Sequence, residues 1–435
     1  MPTFRAPRGT RDLLPDETPT WTRLERLAAD LSTRYGYRRI ETPMFEQSAV
    51  FERGVGEVTD IVEKELFRIE PRTDEPAERW ALRPEPTAGV VRAYVQHGMQ
   101  TWPQPVKLSL IGPMFRYDRP QAGRYRQFWQ WDIEAIGDPG PGIDAELIEL
   151  GTRFYRDAGV RGVQVLVNSI GDAACRPGYV ADLTAWYRRR IADLPPLERD
   201  RLERNALRLL DSKDPAMAPI NAEAPRITDR LCEPCATHFA DLRRHLDALA
   251  IPHRIEPALV RGLDYYTRTA FEFYVQGREG QQQALGGGGR YDGLVALLGG
   301  KPTPGIGFGL GLDRIVLALA EQAAEDGRPA VVDDAAAPLA VVVSADPEDT
   351  AGRLVVATRL RDAGLRVRAD LGRRKLGRQL EGAGREGAHF AVILGDELAG
   401  GHVQLKDLQA GTQRSVAVGD LARELARAEA SHRHG

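Results

Sequence analysis

Cysteine is nearly absent: the chain has three in 435 residues, too few for a disulfide scaffold and suited to a reducing compartment. Nor is there an excess of positive charge. With 59 Lys and Arg against 62 Asp and Glu the formal net charge is −3, so bulk charge points to no polyanionic partner, and any nucleic-acid contact must come from local clusters. Long apolar runs are missing too. Nothing approaches the roughly 18 apolar residues of a spanning helix, and the opening from Met1 to Pro15 has no apolar secretory core, so no membrane partner and a cytoplasmic location are expected. What is present, 42% hydrophobic and 28% charged residues, is the composition of a folded chain rather than a disordered one. At this length one hydrophobic core is not enough, and two or three domains are expected.

The three cysteines leave alternatives open. Cys232 and Cys235 form a Cys-x-x-Cys with His238 close behind, which allows zinc or redox chemistry, with Cys175 a distant fourth ligand. No second pair at zinc-finger spacing exists, and small apolar packing residues on a helix are the favoured reading, with no metal expected.

Periodicity organises the rest. Trp21, Leu24, Leu27, Ala28, Leu31 and Tyr35 recur at helical spacing up to Gly36, and residues 37–43 then read as a strand. From about 80 to 136, and again from 259 to 319, strand-like runs alternate with helix patterns, as in a mixed sheet that is antiparallel at its centre. Residues 176–250 are rich in Arg, Leu and Ala, with helical periodicity around Leu183, Trp186, Tyr187 and Ile191, and read as a helical insertion. A polar stretch at 321–337 reads as a linker. Beyond it, strand and helix alternate through Leu354, Val355, Thr358 and Leu360, as in a small α/β domain with a largely parallel sheet. The expectation is an α+β fold with a large domain at 1–320 and a second at 338–435.

Arg126 to Ile136 carries the most local information. Period 2 puts Trp129, Trp131, Ile133 and Ala135 on one face and Phe128, Gln130, Asp132 and Glu134 on the other. Taken alone, the polar face is a solvated one. Its surroundings change that reading. The preceding run, Val106 to Phe115, ends at Arg116, and a turn-rich connection carries Arg119 and Arg124, whose planar guanidinium groups suit phosphate oxygens. Further on, Gly305, Gly307, Gly309 and Gly311 alternate with Ile306, Phe308 and Leu310. That strand lacks side chains on one face, so a flat ligand such as adenine, or a closely packed protein element, could lie on its backbone. Arg314 comes next, in the first turn of a helix.

A hairpin arginine, a glycine-faced strand and a helix-borne arginine together resemble the catalytic domain of class II aminoacyl-tRNA synthetases, with Pro43 where that class carries its dimer-interface motif. Leu-Val-Arg-Gly-Leu-Asp-Tyr-Tyr at 259–266 and Gly-Gly-Gly-Arg-Tyr-Asp-Gly-Leu at 287–294 narrow the resemblance to the histidyl-tRNA synthetase family. Residues 8–15, 82–85 and 123–128 also match. Two positions depart from the family's usual pattern: Pro86, where glycine is common, and Trp129, where histidine is common. Pro86 removes a backbone donor near the substrate amine.

The resemblance implies activation of histidine with ATP and Mg2+ and its transfer to tRNA(His). Under it, Arg261 and Arg116 act on the α-phosphate and Arg314 holds the γ-phosphate, with Gly309 and Gly311 beneath the nucleotide. Glu85, Thr87 and Gln130 bind the α-amino group, while Glu134, Tyr265 and Tyr266 surround the imidazole. The C-terminal domain resembles the anticodon-binding domain shared by several class II enzymes. There Arg366, Arg368, Arg373, Arg374, Lys375, Arg378 and Arg385 outnumber Asp370 and Glu381, so Arg373, Arg374 and Lys375 join Arg119 and Arg124 as expected tRNA contacts. The family also implies a homodimer. Two alternatives stand beside this reading: a histidine-sensing regulatory subunit of ATP phosphoribosyltransferase, and a class II synthetase for another amino acid.

Overall fold

Trp21, Leu24, Ala28 and Leu31 lie on one stripe of the first helix, α1 (Thr18–Arg34), and all four are buried. The helix stops at Tyr35, and Gly36 takes the left-handed turn (φ 77°) that a side chain would resist. The strand expected over 37–43 is only two residues long, β1 (Arg38–Arg39). It lies at the sheet edge, parallel to a single neighbour, before the chain reaches Pro43. The computed structural model describes residues 4–56, 59, 61–70, 79–121, 123–210, 212, 214–259, 265–276, 284–327 and 338–432. The chain divides into two units, Met1–Val331 and Val332–Gly435.

In the first unit a three-stranded sheet is formed by β2 (Phe45–Gln47), β3 (Arg68–Ile69) and β4 (Trp80–Leu82), with β4 central. The main sheet takes β1 together with β5 (Val106–Phe115), β6 (Gln127–Ile136), β7 (Val163–Ser169), β8 (His253–Ile255), β9 (Thr267–Val275), β10 (Gly286–Arg290) and β11 (Gly305–Gly311). Its order is β1-β5-β6-β11-β10-β9-β7-β8, parallel only at its two edges. The antiparallel centre expected from the sequence is therefore present.

Helices α2 (Ser48–Val55), α3 (Thr87–Gln96) and α4 (Pro141–Ala158) belong to this unit. They are followed by α5 (Arg176–Arg188), α6 (Pro196–Arg204), α7 (Leu207–Leu210), α8 (Met217–Ala222), α9 (Glu233–Ala248), α10 (Leu294–Leu297) and α11 (Leu312–Glu325). One face of the main sheet, through Trp131, Ile133, Phe271, Phe273, Ile306 and Phe308, forms a single core with α1, α4, α9 and α11. Each fully buried side chain of this size stabilises the fold by about 1.5–3 kcal/mol. Packing there is tight: a Cβ added at Gly151 would sit 2.5 Å from the Phe273 ring.

The segment read as a helical insertion is helical, with a core of its own around Tyr179, Leu183, Trp186, Leu202 and Met217. Ile191 does not share the stripe assigned to it; α5 ends at Arg188 and Ile191 is exposed. Phe239, Leu242 and Leu246 of α9 join the main core. The linker expected at 321–337 begins later than its lack of an apolar period suggests, since residues 321–325 continue α11, and residues 328–337 lie outside the described residues.

The second unit contains β12 (Ala340–Ser344), α12 (Thr350–Asp362), β13 (Val367–Ala369), α13 (Leu376–Arg385), β14 (Phe390–Leu394), β15 (His402–Asp407), β16 (Gln413–Ala417) and α14 (Leu421–His432). Its sheet order is β13-β12-β14-β15-β16. The first three strands are parallel, as the alternating pattern predicts. The last two are antiparallel, so the sheet is mixed rather than largely parallel. The stripe of α12 also differs from the expected one: Leu354 and Val355 are exposed, and Val356, Ala357 and Leu360 face the core beside the fully buried Arg353.

Candidate functional site

Direct pairing across an antiparallel sheet puts partners on the same face, so the register of β6, β11, β10 and β9 arranges the polar face in rows. One row reads Glu134, Gly307, Gly289, Ala270; the next reads Asp132, Gly309, Gly287, Glu272. The first row is filled from its ends. A Cβ at Gly307 would fall 2.0 Å from the Glu134 carboxylate, and one at Gly289 would fall 2.8 Å from the Tyr266 ring. At Gly305 an added Cβ would strike the Tyr291 ring at 2.2 Å. These glycines admit protein side chains, as the close-packing alternative requires. Toward Gly311 the backbone is barer: an added Cβ there meets nothing nearer than 3.8 Å, and at Gly309 it would meet Asp132 and Gln130. The strand thus serves both readings, packed at one end and open at the other.

Three carboxylates converge at the packed end, and all are buried: Glu85, Asp132 and Glu134. The backbone N–H groups of Thr87 and Ala88 donate to Glu85 at 2.9 and 3.0 Å, and the Tyr265 hydroxyl reaches it at 3.4 Å. The Thr87 hydroxyl donates to Glu134 at 2.6 Å, and the Tyr291 hydroxyl donates to its other oxygen. Burial pushes the Glu134 carboxyl up to about 8, against the pull of Thr87 and Tyr291. Burial also raises Glu85, and it raises Asp132 well above its usual range with help from the neighbouring charges of Glu134 and Glu85. Two acceptors in this nest, Gln130 Oε1 and Asp132 Oδ2, are buried with no hydrogen-bond partner among the described residues. Such atoms are costly unless a ligand supplies donors. The geometry therefore fits a small molecule with N–H groups and positive charge.

Guanidinium groups gather at the open end. Arg116 donates from Nε to Pro84 O at 2.8 Å and lies over the Phe128 ring at 5.3 Å. Arg314 donates to the carbonyls of Gly123 and Ala284. Its pKa is lowered first by burial, then by the positive charges of Arg124 and Arg116, with Glu272 opposing. Mutual repulsion among three cations is what a polyanion would relieve. Arg124 is partly engaged by Asp118 and Glu65, and Arg119 is exposed. The hairpin carrying these residues is held by the N-terminal segment: Arg126 N–H donates to Gly9 O at 2.7 Å, and Arg11 lies over Tyr125 and reaches Asp313 at 3.5 Å.

Sequence reasoning brings Glu85, Thr87, Gln130, Glu134, Tyr265 and Tyr266 to one pocket, and the structure places them together with Arg116 and Arg314 flanking the adjacent glycine row. Arg261 lies outside the described residues. Pro86 disturbs little here. It occupies the position before α3, and the donors that Glu85 uses come from the two residues after it. Trp129 packs edge-on against Trp21 at 5.9 Å, on the apolar face its parity predicts.

Sequence reasoning misses Tyr291, although it lies inside the 287–294 stretch. Its neighbour Arg290 is fully buried, ion-paired to Asp144, which also binds His238 at 2.8 Å and Thr269 at 2.5 Å. His238 is thus buried and engaged by Asp144 rather than joining the cysteines as a ligand. Cys235 is fully buried, as a packing residue would be, and Asp172 and Cys175 lie beside it and Cys232.

In the second unit the basic cluster is substantially paired. Arg366 meets Glu429 at 3.0 Å, Arg368 meets Glu386 at 2.5 Å and Arg373 meets Glu348 at 3.3 Å. Arg374 meets Asp370 at 2.7 Å and Arg378 meets Glu381 at 2.9 Å. Arg374 is anchored by the buried Asp370; the other pairs are largely exposed, contribute little stability and exchange readily for a stronger anion. Arg353 donates to the carbonyls of Asp370 and Gly372 and so fixes the turn that presents Arg373, Arg374 and Lys375.

Comparison with known proteins adds independent findings. A family model described as histidyl-tRNA synthetase matches residues 9–315, and one described as an anticodon binding domain matches residues 339–428. The histidine–tRNA ligase of Moorella thermoacetica is 48% identical over 423 residues, covering 96% of this chain and 98% of the relative. That of Desulforudis audaxviator is 45% identical, covering 97% and 98%. Among solved structures, apo histidyl-tRNA synthetase of S. aureus aligns with a TM-score of 0.79 at 33% identity, covering 97% of this chain and all of the other.

Proposed function

Because the chain belongs to the histidyl-tRNA synthetase family, we propose that it activates L-histidine with ATP at the sheet pocket and transfers the histidyl group to tRNA(His). One observation carries the assignment of the pocket: the buried acceptors Gln130 Oε1 and Asp132 Oδ2 have no partner among the described residues and lie beside a Glu134 carboxylate held by neutral donors. An ammonium group satisfies the first two, and an imidazole N–H satisfies the third, with Tyr266 against the ring and Tyr265 braced on Glu85. Glu85 and Thr87 complete the α-amino site. An amino acid without a side-chain N–H leaves the buried Glu134 with only its two hydroxyl donors, Thr87 and Tyr291, and offers it no ring N–H, which is how such a pocket discriminates.

Next to this pocket the Gly309 and Gly311 backbone receives the nucleotide. The histidine carboxylate oxygen attacks the α-phosphorus; the new O–P bond forms as the bond to the bridging oxygen of diphosphate breaks, and diphosphate leaves with the electron pair. Negative charge on the phosphoryl oxygens is met by Arg116 from the hairpin, and Arg314 holds the far phosphate. Arg261 is assigned to the α-phosphate on the strength of the Leu-Val-Arg-Gly-Leu-Asp-Tyr-Tyr stretch alone. For Mg2+, the buried Glu272, at the end of the Asp132–Gly309–Gly287 row and within the electrostatic reach of Arg314, is a hard oxygen donor among the described residues at this end of the site. The ion, held mostly by phosphates and water, would neutralise phosphate charge.

Arg119 and Arg124 of the hairpin are assigned to the acceptor end of the tRNA, and Arg373, Arg374 and Lys375 to the anticodon end, in a module whose match at 339–428 counts against the regulatory-subunit alternative. Met44 and Phe45, half-exposed next to Pro43, form an apolar patch that supports a homodimer. Among the described residues no helix is long and apolar enough to cross a membrane, and the chain is assigned to the cytoplasm.

The test is amino-acid-dependent exchange of diphosphate into ATP, measured with each of the twenty amino acids. Histidine alone should support it. Exchange with a different amino acid, or with none, would overturn the assignment.

A further inference from the structure

All three cysteines of the chain, separated by up to 60 residues in sequence, meet at one corner of the first unit. Cys175 precedes α5, where the chain leaves β7 for the helical segment, and Cys232 and Cys235 open α9, where it returns. Asp172 joins them. The four potential ligand atoms, one carboxylate oxygen and three sulfurs, lie within 4.8 Å of one another, and none of the cysteines is in a disulfide. Asp172 Oδ1 is 3.7 Å from the Cys175 sulfur and 3.8 Å from the Cys232 sulfur. Ligands arranged tetrahedrally at zinc distances are separated by about 3.8 Å for two sulfurs and about 3.6 Å for a sulfur and an oxygen. The cluster is therefore already near the size of a filled tetrahedral site.

The surroundings are those of a metal site. Arg268 reaches the second oxygen of Asp172 at 3.4 Å and leaves Oδ1 facing the sulfurs, a supporting contact that orients a ligating carboxylate. The Asp172 N–H donates to the Cys175 sulfur at 3.4 Å. Gly171, with φ 66°, makes room for that sulfur, since a Cβ there would come within 2.7 Å of it. A set of three thiolates and one carboxylate, closed on all four sides, selects zinc over magnesium or calcium.

We propose that Asp172, Cys175, Cys232 and Cys235 bind one structural Zn2+, each thiol releasing its proton to solvent as the metal enters. The ion joins the two ends of the helical segment to the main sheet. It also stiffens the wall behind the amino-acid pocket, because Arg176 donates to Tyr266 O and Gly171 O accepts from Arg268 N–H at 2.7 Å. The sequence offered zinc only as the weaker alternative, since its three cysteines lack finger spacing; the missing ligand is an aspartate three residues before Cys175.

Metal content of the purified full-length chain tests this directly. Elemental analysis should give one zinc per chain that survives dialysis, and replacement by Co2+ should produce a sulfur-to-cobalt charge-transfer band. Cys175→Ser and Cys232→Ser should each weaken that band by about a third and lower zinc retention at least tenfold. Histidine-dependent exchange in these variants should change only severalfold, through KM. Should the variants fail to fold, the wild-type measurements stand alone. A chain that takes up no zinc after incubation with zinc chloride, that retains zinc equally in the double serine variant, or that carries a disulfide among these cysteines would overturn the proposal.

Discussion

The two ends of the cleft are built on opposite principles. At the amino-acid end, acids are buried among neutral donors and their carboxyls are pushed upward, Glu134 to about 8. At the proposed nucleotide end, burial first and then the nearby charges of Arg124 and Arg116 lower the pKa of Arg314. In the proposed function, each end would be relieved by one half of the substrate pair: cationic nitrogen at the first, phosphate at the second. On that proposal, selectivity belongs to the carboxylate end and rate to the arginine end.

The strongest way to break this comparison is to remove the central acid. Glu134→Ala should lower kcat/KM for histidine in diphosphate exchange by about 10³-fold while ATP binding stays within a few fold; a loss shared equally between histidine and ATP would erase the division. Arg116→Ala should be the next largest, slowing adenylate formation about 10²-fold in single turnover with little change in histidine affinity. A predominant loss of histidine binding there would assign Arg116 to the wrong end.

A smaller effect sharpens the electrostatic side. Glu134 titrates at about 8 when folded and near 4.5 when unfolded. Between those values the native state carries a proton that the unfolded chain lacks, so stability falls as pH rises through the window and the loss is complete above it. Glu134→Gln cannot titrate. Its thermal midpoint relative to wild type should therefore rise from pH 5 to pH 9, by on the order of 2–5 °C. An unchanged difference would mean that burial does not penalise this carboxylate.

Regular strands made most of the site legible. β6 runs ten residues without interruption, so its parity placed Gln130 and Glu134 together and Trp131 and Ile133 in the core. Tyr291 escaped for the opposite reason: β10 has almost no side chains to reveal parity, and its register shifts between Gly289 and Arg290, which re-aims the side chains beyond that point. Burial of Asp132 was also invisible, because alternation alone cannot distinguish a solvated face from a covered one, and Asp132 is buried. In the second unit, Arg353 displaced the expected stripe of α12. A guanidinium can fill a core position when backbone carbonyls satisfy it, as Asp349, Asp370 and Gly372 do here. The hairpin of β15 and β16 alternates buried Val403 and Leu405 with polar residues, a weaker signal than the apolar runs of β12 and β14.

The most direct measurement is diffraction from crystals grown with histidinol and ATP. The account predicts density for the imidazole against Glu134 and Tyr266, the amine within hydrogen-bond distance of Gln130 Oε1 and Asp132 Oδ2, and the phosphates between Arg116 and Arg314. Histidinol bound elsewhere, or bound here with those two acceptors still unpartnered, would contradict it.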